Sequence, residues 1–127
     1  MSLDDAWEDS RATELSQITR AMVAIYKDQF GRGPRNAHSH WTGRDAVACF
    51  LEGSLTPVER TLASIGEHQR LRGLRLLFQH AAAPEFRAAI ESITGRRVLA
   101  FMSGMDTSAD VATEVFVLES TDERSER

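Results

Sequence analysis

Lys27, Arg32 and Arg35 crowd the segment Gly31-Arg32-Gly33-Pro34. Cations converging on a flexible glycine backbone are the residue types that hold a phosphate, a bicarbonate or a carboxylate. Arg44 joins them if the following hairpin folds back toward the turn. The same residues also suit a structural part, in which the cations complement the negative C-terminal end of a helix while glycine and proline shape the exit. Lys27, Arg32, Gly33 and Arg35 are therefore candidates for an anion- or partner-binding turn, with either role open.

Other chemistry is thinner. His38 and His40 stand two apart, so on a strand they share a face at a spacing competent for two metal ligands, but no third ligand lies nearby in sequence. His68 and His80 are twelve residues apart, more than three helical turns, and cannot share a metal. Solvated or interface histidines and no bound metal are the expectation. Cys49 lies between apolar neighbours, where burial raises a thiol's pKa and leaves it an inert small hydrophobe. Asp106 and Asp110 lack the ligand spacing of a calcium loop and are explained by turn formation. No Ser/His/Asp arrangement stands out, so neither catalytic residues nor a cofactor is assigned. A binding module is favoured over an enzyme that uses the basic turn to hold an anionic substrate.

Composition narrows the partners. The formal charge is −4, which gives no electrostatic reason to bind nucleic acid non-specifically. Arg70, Arg72 and Arg75 point to different sides of a helix instead of forming a basic stripe. Arg60 is expected to pair locally or anchor a helix start. The longest apolar runs, residues 46–51 and 98–102, fall far short of the ~20 residues of a spanning helix, and without a span the chain cannot by itself translocate an ion. The first residues carry no basic or apolar leader, and Met1-Ser2-Leu3 could be a cloning scar. A single cysteine excludes an intramolecular disulfide and agrees with a cytoplasmic location.

The elements that must position these residues follow from periodicity. Residues 1–9 are acidic and aperiodic and read as a flexible terminus, with Ser10 as N-cap. Leu15, Ile18, Met22, Ile25, Tyr26 and Phe30 then form one apolar stripe of a helix that stops at Gly31. Residues 36–42 and 45–52 read as a hairpin turning at Gly43-Arg44. Val47, Cys49 and Leu51 face one side and Ala46, Ala48 and Phe50 the other, as in a strand covered twice, or once with small residues opposite. Thr56-Pro57-Val58-Glu59 is a capping box, and the helix it opens runs to about residue 82 or 83, kinked or broken near Pro84, with its continuation ending at Gly95. Residues 98–103 and 112–119 form a second hairpin, and the polar tail 120–127 reads as flexible. The expected fold is a single two-layer α+β domain over residues 10–119, in order α-β-β-α-β-β, with about four strands in an antiparallel or mixed sheet and helices mainly on one face.

Tyr26-Lys27, Phe30-Gly31-Arg32-Gly33-Pro34, Leu55-Thr56-Pro57-Val58-Glu59-Arg60-Thr61-Leu62 and Thr94-Gly95-Arg96-Arg97-Val98 carry a resemblance, which Asp106-Thr107 and Val115-Phe116-Val117-Leu118 extend. Over about residues 14–119 the chain resembles the MpsC-like family, named for a component of a sodium-translocating, membrane-potential-generating system. The resemblance implies a small cytoplasmic bacterial α+β domain associated with a membrane system and a membrane-system protein as partner. It transfers no catalytic residues.

A homodimer is expected from the long helix. Val58, Leu62, Ile65 and Leu76 fall within one arc, while Leu71, Leu74 and Phe78 cluster on the opposite side. As a continuous helix it would be about 39 Å long and overhang strands of about 27 Å. Leu71, Leu74 and Phe78 would then pack on a second copy, or else on the helix before the first hairpin or the segment after Pro84.

Overall fold

The computed structural model describes residues 2–121, so the expectation of a flexible tail falls almost entirely on residues outside those described. Helix α1 spans Leu3–Phe30. Its N-cap is Ser2, whose hydroxyl accepts the Asp5 amide at 3.1 Å, so Ser10 lies inside the helix and the acidic opening is helical, not aperiodic coil. An early N-cap places Asp5 in the first turn, at the positive end of the helix dipole, which periodicity alone does not register. The helix ends where expected. Gly31 takes a left-handed conformation with φ 82° and returns its N–H to the Lys27 carbonyl at 2.9 Å.

Strands β1 (Asn36–Trp41) and β2 (Ala46–Glu52) form the first hairpin; β3 (Val98–Asp106) and β4 (Val111–Leu118) form the second. The sheet is antiparallel throughout, in the order β1-β2-β4-β3. The second hairpin is tighter than the sequence implies, since both strands run farther into the loop and Asp110 turns the chain at φ 56°. Between the hairpins lie α2 (Pro57–Ser64), α3 (His68–Ala81) and α4 (Ala83–Thr94). The Thr56 capping box is formed in full, and of the two alternatives at Pro84 the chain takes the break, with Pro84 in the first turn of α4.

The single long helix is not formed. Gly66 adopts φ 83°, which stops α2 after eight residues and restarts the helix at His68. A left-handed residue cannot continue a right-handed helix, so the 39 Å rod and its overhang do not exist.

Helices α1, α3 and α4 cover one sheet face, while α2 has no buried residue and packs beside α3. Ile18, Met22 and Tyr26 from α1, Leu71 from α3, and Phe86 and Ile90 from α4 pack on Val47, Cys49, Leu51, Ala112, Phe116 and Leu118. The opposite face carries Ala46, Ala48, Phe50, Val115 and Val117 from the two central strands, so β2 is covered once, with small residues among those opposite.

Candidate functional site

The basic turn holds a loop in place. Arg32 donates from Nη1 to the Leu55 carbonyl at 3.2 Å and from Nη2 to the Gly53 carbonyl at 3.3 Å. From the other side Asp110 accepts the Ser54 and Leu55 amides at 3.0 and 3.1 Å. Gly53 has φ 72° and the Arg35 side chain fills the space a Cβ would need there, so this position favours glycine for two separate reasons. Gly33 packs on Val23. Lys27 is exposed in the last turn of α1, and Arg35 is exposed beyond the turn. Arg44 does not join them. The antiparallel hairpin carries it to the far end of β1, where Arg96 binds its carbonyl and Arg11 binds that of Gly43.

Beneath this loop lies a buried ion pair. Arg75, 1% exposed, donates from Nε and Nη2 to the two Glu59 oxygens at 2.6 and 2.7 Å and from Nη2 to the Ser54 carbonyl at 2.7 Å. Its guanidinium also lies 3.7 Å over the Phe30 ring. Burial works to raise the Glu59 pKa, but hydrogen bonds from Arg75 and the Thr56 amide outweigh it and hold the carboxyl below its ordinary value. Of the three arginines on this stretch only Arg75 turns inward; Arg70 and Arg72 are exposed.

Leu74, Leu77 and Phe78 remain exposed on α3, at 44%, 64% and 42%. Spaced three and four apart, they form one apolar flank, and Phe78 meets Phe30 edge-on at 6.3 Å, which joins that flank to the basic turn. Leu71, expected with them, is fully buried in the chain's own core. Leu71, Leu74 and Phe78 all lie on α3, so the break at Gly66 leaves their relative spacing unchanged; Leu71 falls on the side of the arc nearest Arg75 and Gln79, which α3 also buries.

The centre of the core holds an acid. Glu114 on β4 is fully buried; Ser103 donates to its two oxygens at 2.6 and 2.9 Å, Gln79 at 2.6 Å and Tyr26 at 3.2 Å. Burial pushes its pKa up to about 7 against the opposing pull of those donors. Burial also raises the Tyr26 pKa, with the Glu114 charge adding to it. Gln79 spends its Nε2 on both Tyr26 and Glu114, and its Oε1 is buried without a partner. Sequence reasoning missed this cluster. Its one signal was an acid two residues from Ala112 and from Phe116, on the core side of an alternating strand.

His38 and His40 do share the outer sheet face, bonded to each other from Nδ1 to Nε2 at 2.6 Å, with Phe50 stacked on His38. Glu52 approaches His38 at 3.6 Å through the other ring nitrogen, so the carboxylate and His40 sit on opposite edges of one imidazole. Among the described residues no group of three or more ligands assembles. Cys49 is buried, and desolvation pushes its thiol up to about 11.

A family model described as Na+-translocating membrane potential-generating system (MpsC) matches residues 11–120. No curated protein matches, and no solved structure does. No helix of the described residues is long and apolar enough to cross a membrane.

Proposed function

We propose, for a chain that belongs to the MpsC family of Na+-translocating membrane potential-generating systems, the role of a non-enzymatic assembly module within that multi-component system, acting in the cytoplasm as a homodimer. The observation that carries this reading is the α3 flank of Leu74, Leu77 and Phe78, three large apolar side chains held in register on a well-packed helix and left to solvent. A contiguous apolar patch beside cations is the composition of a protein contact, with the hydrophobic part supplying affinity and the charges orientation. Lys27, one turn before Phe30, and the Arg32 turn border that flank. The Arg32 guanidinium already serves two backbone carbonyls, which favours a structural and partner-facing turn over a pocket for a free anion. The buried Cys49 and the enclosed Glu114 fit a part in assembly better than one in turnover.

Light scattering at micromolar concentration tests the self-association. The expected mass is about twice the 14.2 kDa of the chain, shifting to one chain in a Leu74→Glu, Phe78→Glu variant that keeps its helical circular dichroism. A wild-type monomer removes the homodimer. Co-purification of the same variant with the membrane components of its system reports separately on the partner role.

A further inference from the structure

A cleft of about 420 Å³ opens between α2, the start of α3 and the β3–β4 turn; Leu55, whose carbonyl Arg32 holds, forms part of its wall, and none of Leu74, Leu77 and Phe78 does. Arg60, Ser64, His68, Thr107, Ser108 and Asp110 line it, with apolar wall between them. Its size is that of sites for small molecules.

The donors facing it are not consumed by the fold. Arg60, expected to pair locally or to anchor the helix start, has no guanidinium partner among the described residues, while the neighbouring Glu59 is held by Arg75. His68 is fixed at one edge only, Nδ1 lying 2.8 Å from the Thr107 hydroxyl. When that hydroxyl donates to Nδ1, the imidazole carries its proton on Nε2, a second donor. Ser108 supplies a hydroxyl from the turn itself. Three donors thus come from three separate elements, and two of those elements meet here only because Gly66 breaks the helix between Arg60 and His68.

The one acid in the lining does not cancel them. Asp110 has both oxygens turned onto the Ser54 and Leu55 amides, at 3.0, 3.1 and 3.4 Å, so its acceptors are spent on the loop and not on Arg60, His68 or Ser108. We infer that this cleft binds a small oxyanion, a carboxylate or a phosphate, on the Arg60 guanidinium, with the His68 imidazole and the Ser108 hydroxyl as further donors. Arg60 gives the planar fork that pairs with two oxygens of such a group; His68 and Ser108 fix its orientation.

The test is an NMR titration of the full chain with inorganic phosphate and, in a second arm, with acetate, following the amides of residues 60–68 and 106–110. At least one probe is expected to saturate in the millimolar range or tighter, with those amides shifting together. Arg60→Ala should weaken that binding at least tenfold and His68→Gln several-fold, whereas Arg70→Ala, which removes a cation of 83% exposed side chain outside the cleft, should leave it unchanged. The arm that saturates at lower concentration names the class. Absence of saturation by either probe overturns the inference, as does equal binding by the Arg60→Ala and wild-type chains. So does equal loss in Arg70→Ala, which would reveal a general response to net charge. The experiment reads one chain in isolation, so its failure leaves the assembly role standing.

Discussion

Gln79 on α3 and Glu114 on β4 meet at 2.6 Å inside a core that shows neither to solvent. That contact ties the helix carrying the exposed apolar flank to the middle of the sheet. It also makes the tie sensitive to protonation. The Glu114 pKa is raised to about 7 in the fold against an ordinary value of 4.5, so the folded chain holds this proton more tightly than the unfolded chain does. The stability it contributes is full below about pH 4.5 and is lost as pH rises through about 7. Glu114→Gln should remove that loss. Urea unfolding of both proteins from pH 5 to 8 should show the variant gaining on wild type as pH rises, by up to roughly 3 kcal/mol at 1.36 kcal/mol per unit. Parallel curves would mean that the carboxyl titrates normally.

Much of the fold was legible because local chemistry specified it. Thr56, Pro57 and Glu59 announce a helix start by side-chain groups three residues apart, and Gly31 and Gly95 announce ends by conformations other residues avoid. The sheet faces followed from alternation in β1 and β2. What escaped depends on contacts distant in sequence. Gly66 within an apolar-periodic stretch reads as a tolerated helix glycine, and only its packing partners decide that it is a break. Glu114 reads as one polar residue in a strand, and its partners Tyr26, Gln79 and Ser103 come from three other elements. The basic turn was legible as a cluster, but Arg32's attachment to residues 53–55 lies across more than twenty positions.

Arg75 and Glu59 form a pair whose loss is asymmetric. Arg75→Met leaves Glu59, with its side chain only 14% exposed, without its counter-charge, and should cost about 3–5 kcal/mol by denaturant unfolding. Combining it with Glu59→Gln should recover a large share of that loss, since the stranded charge goes with its partner. Because the folded Glu59 pKa is lowered, its contribution is present above the ordinary carboxylate range and is lost as pH falls through the folded value. Additive losses in the double variant would show that the two side chains act separately.

Cys49 should be slow to react. Its thiol is buried and raised to about 11, so at pH 7.5 the nucleophilic thiolate is scarce as well as covered. Modification by a chromogenic disulfide reagent should proceed only as fast as the domain opens and accelerate sharply in urea. A fast, stoichiometric reaction in native buffer would place the thiol at the surface.

Gly66 decides whether residues 57–81 form two helices or one. Its φ of 83° costs a residue with a Cβ roughly 1–2 kcal/mol, and nothing lies within 4 Å of where that Cβ would sit, so Gly66→Ala probes conformation without a clash. If the break is the stable state, the alanine variant should lose about 1 kcal/mol or more in urea unfolding, and Gly66→Asn should lose less, since asparagine visits the left-handed region more readily. If instead the segment prefers a continuous helix, alanine should gain stability by its higher propensity, and helical circular dichroism should rise. The first result keeps Arg60 and His68 on separate helices facing one cleft. The second would set them eight positions apart on a single rod, at about 12 Å along its axis.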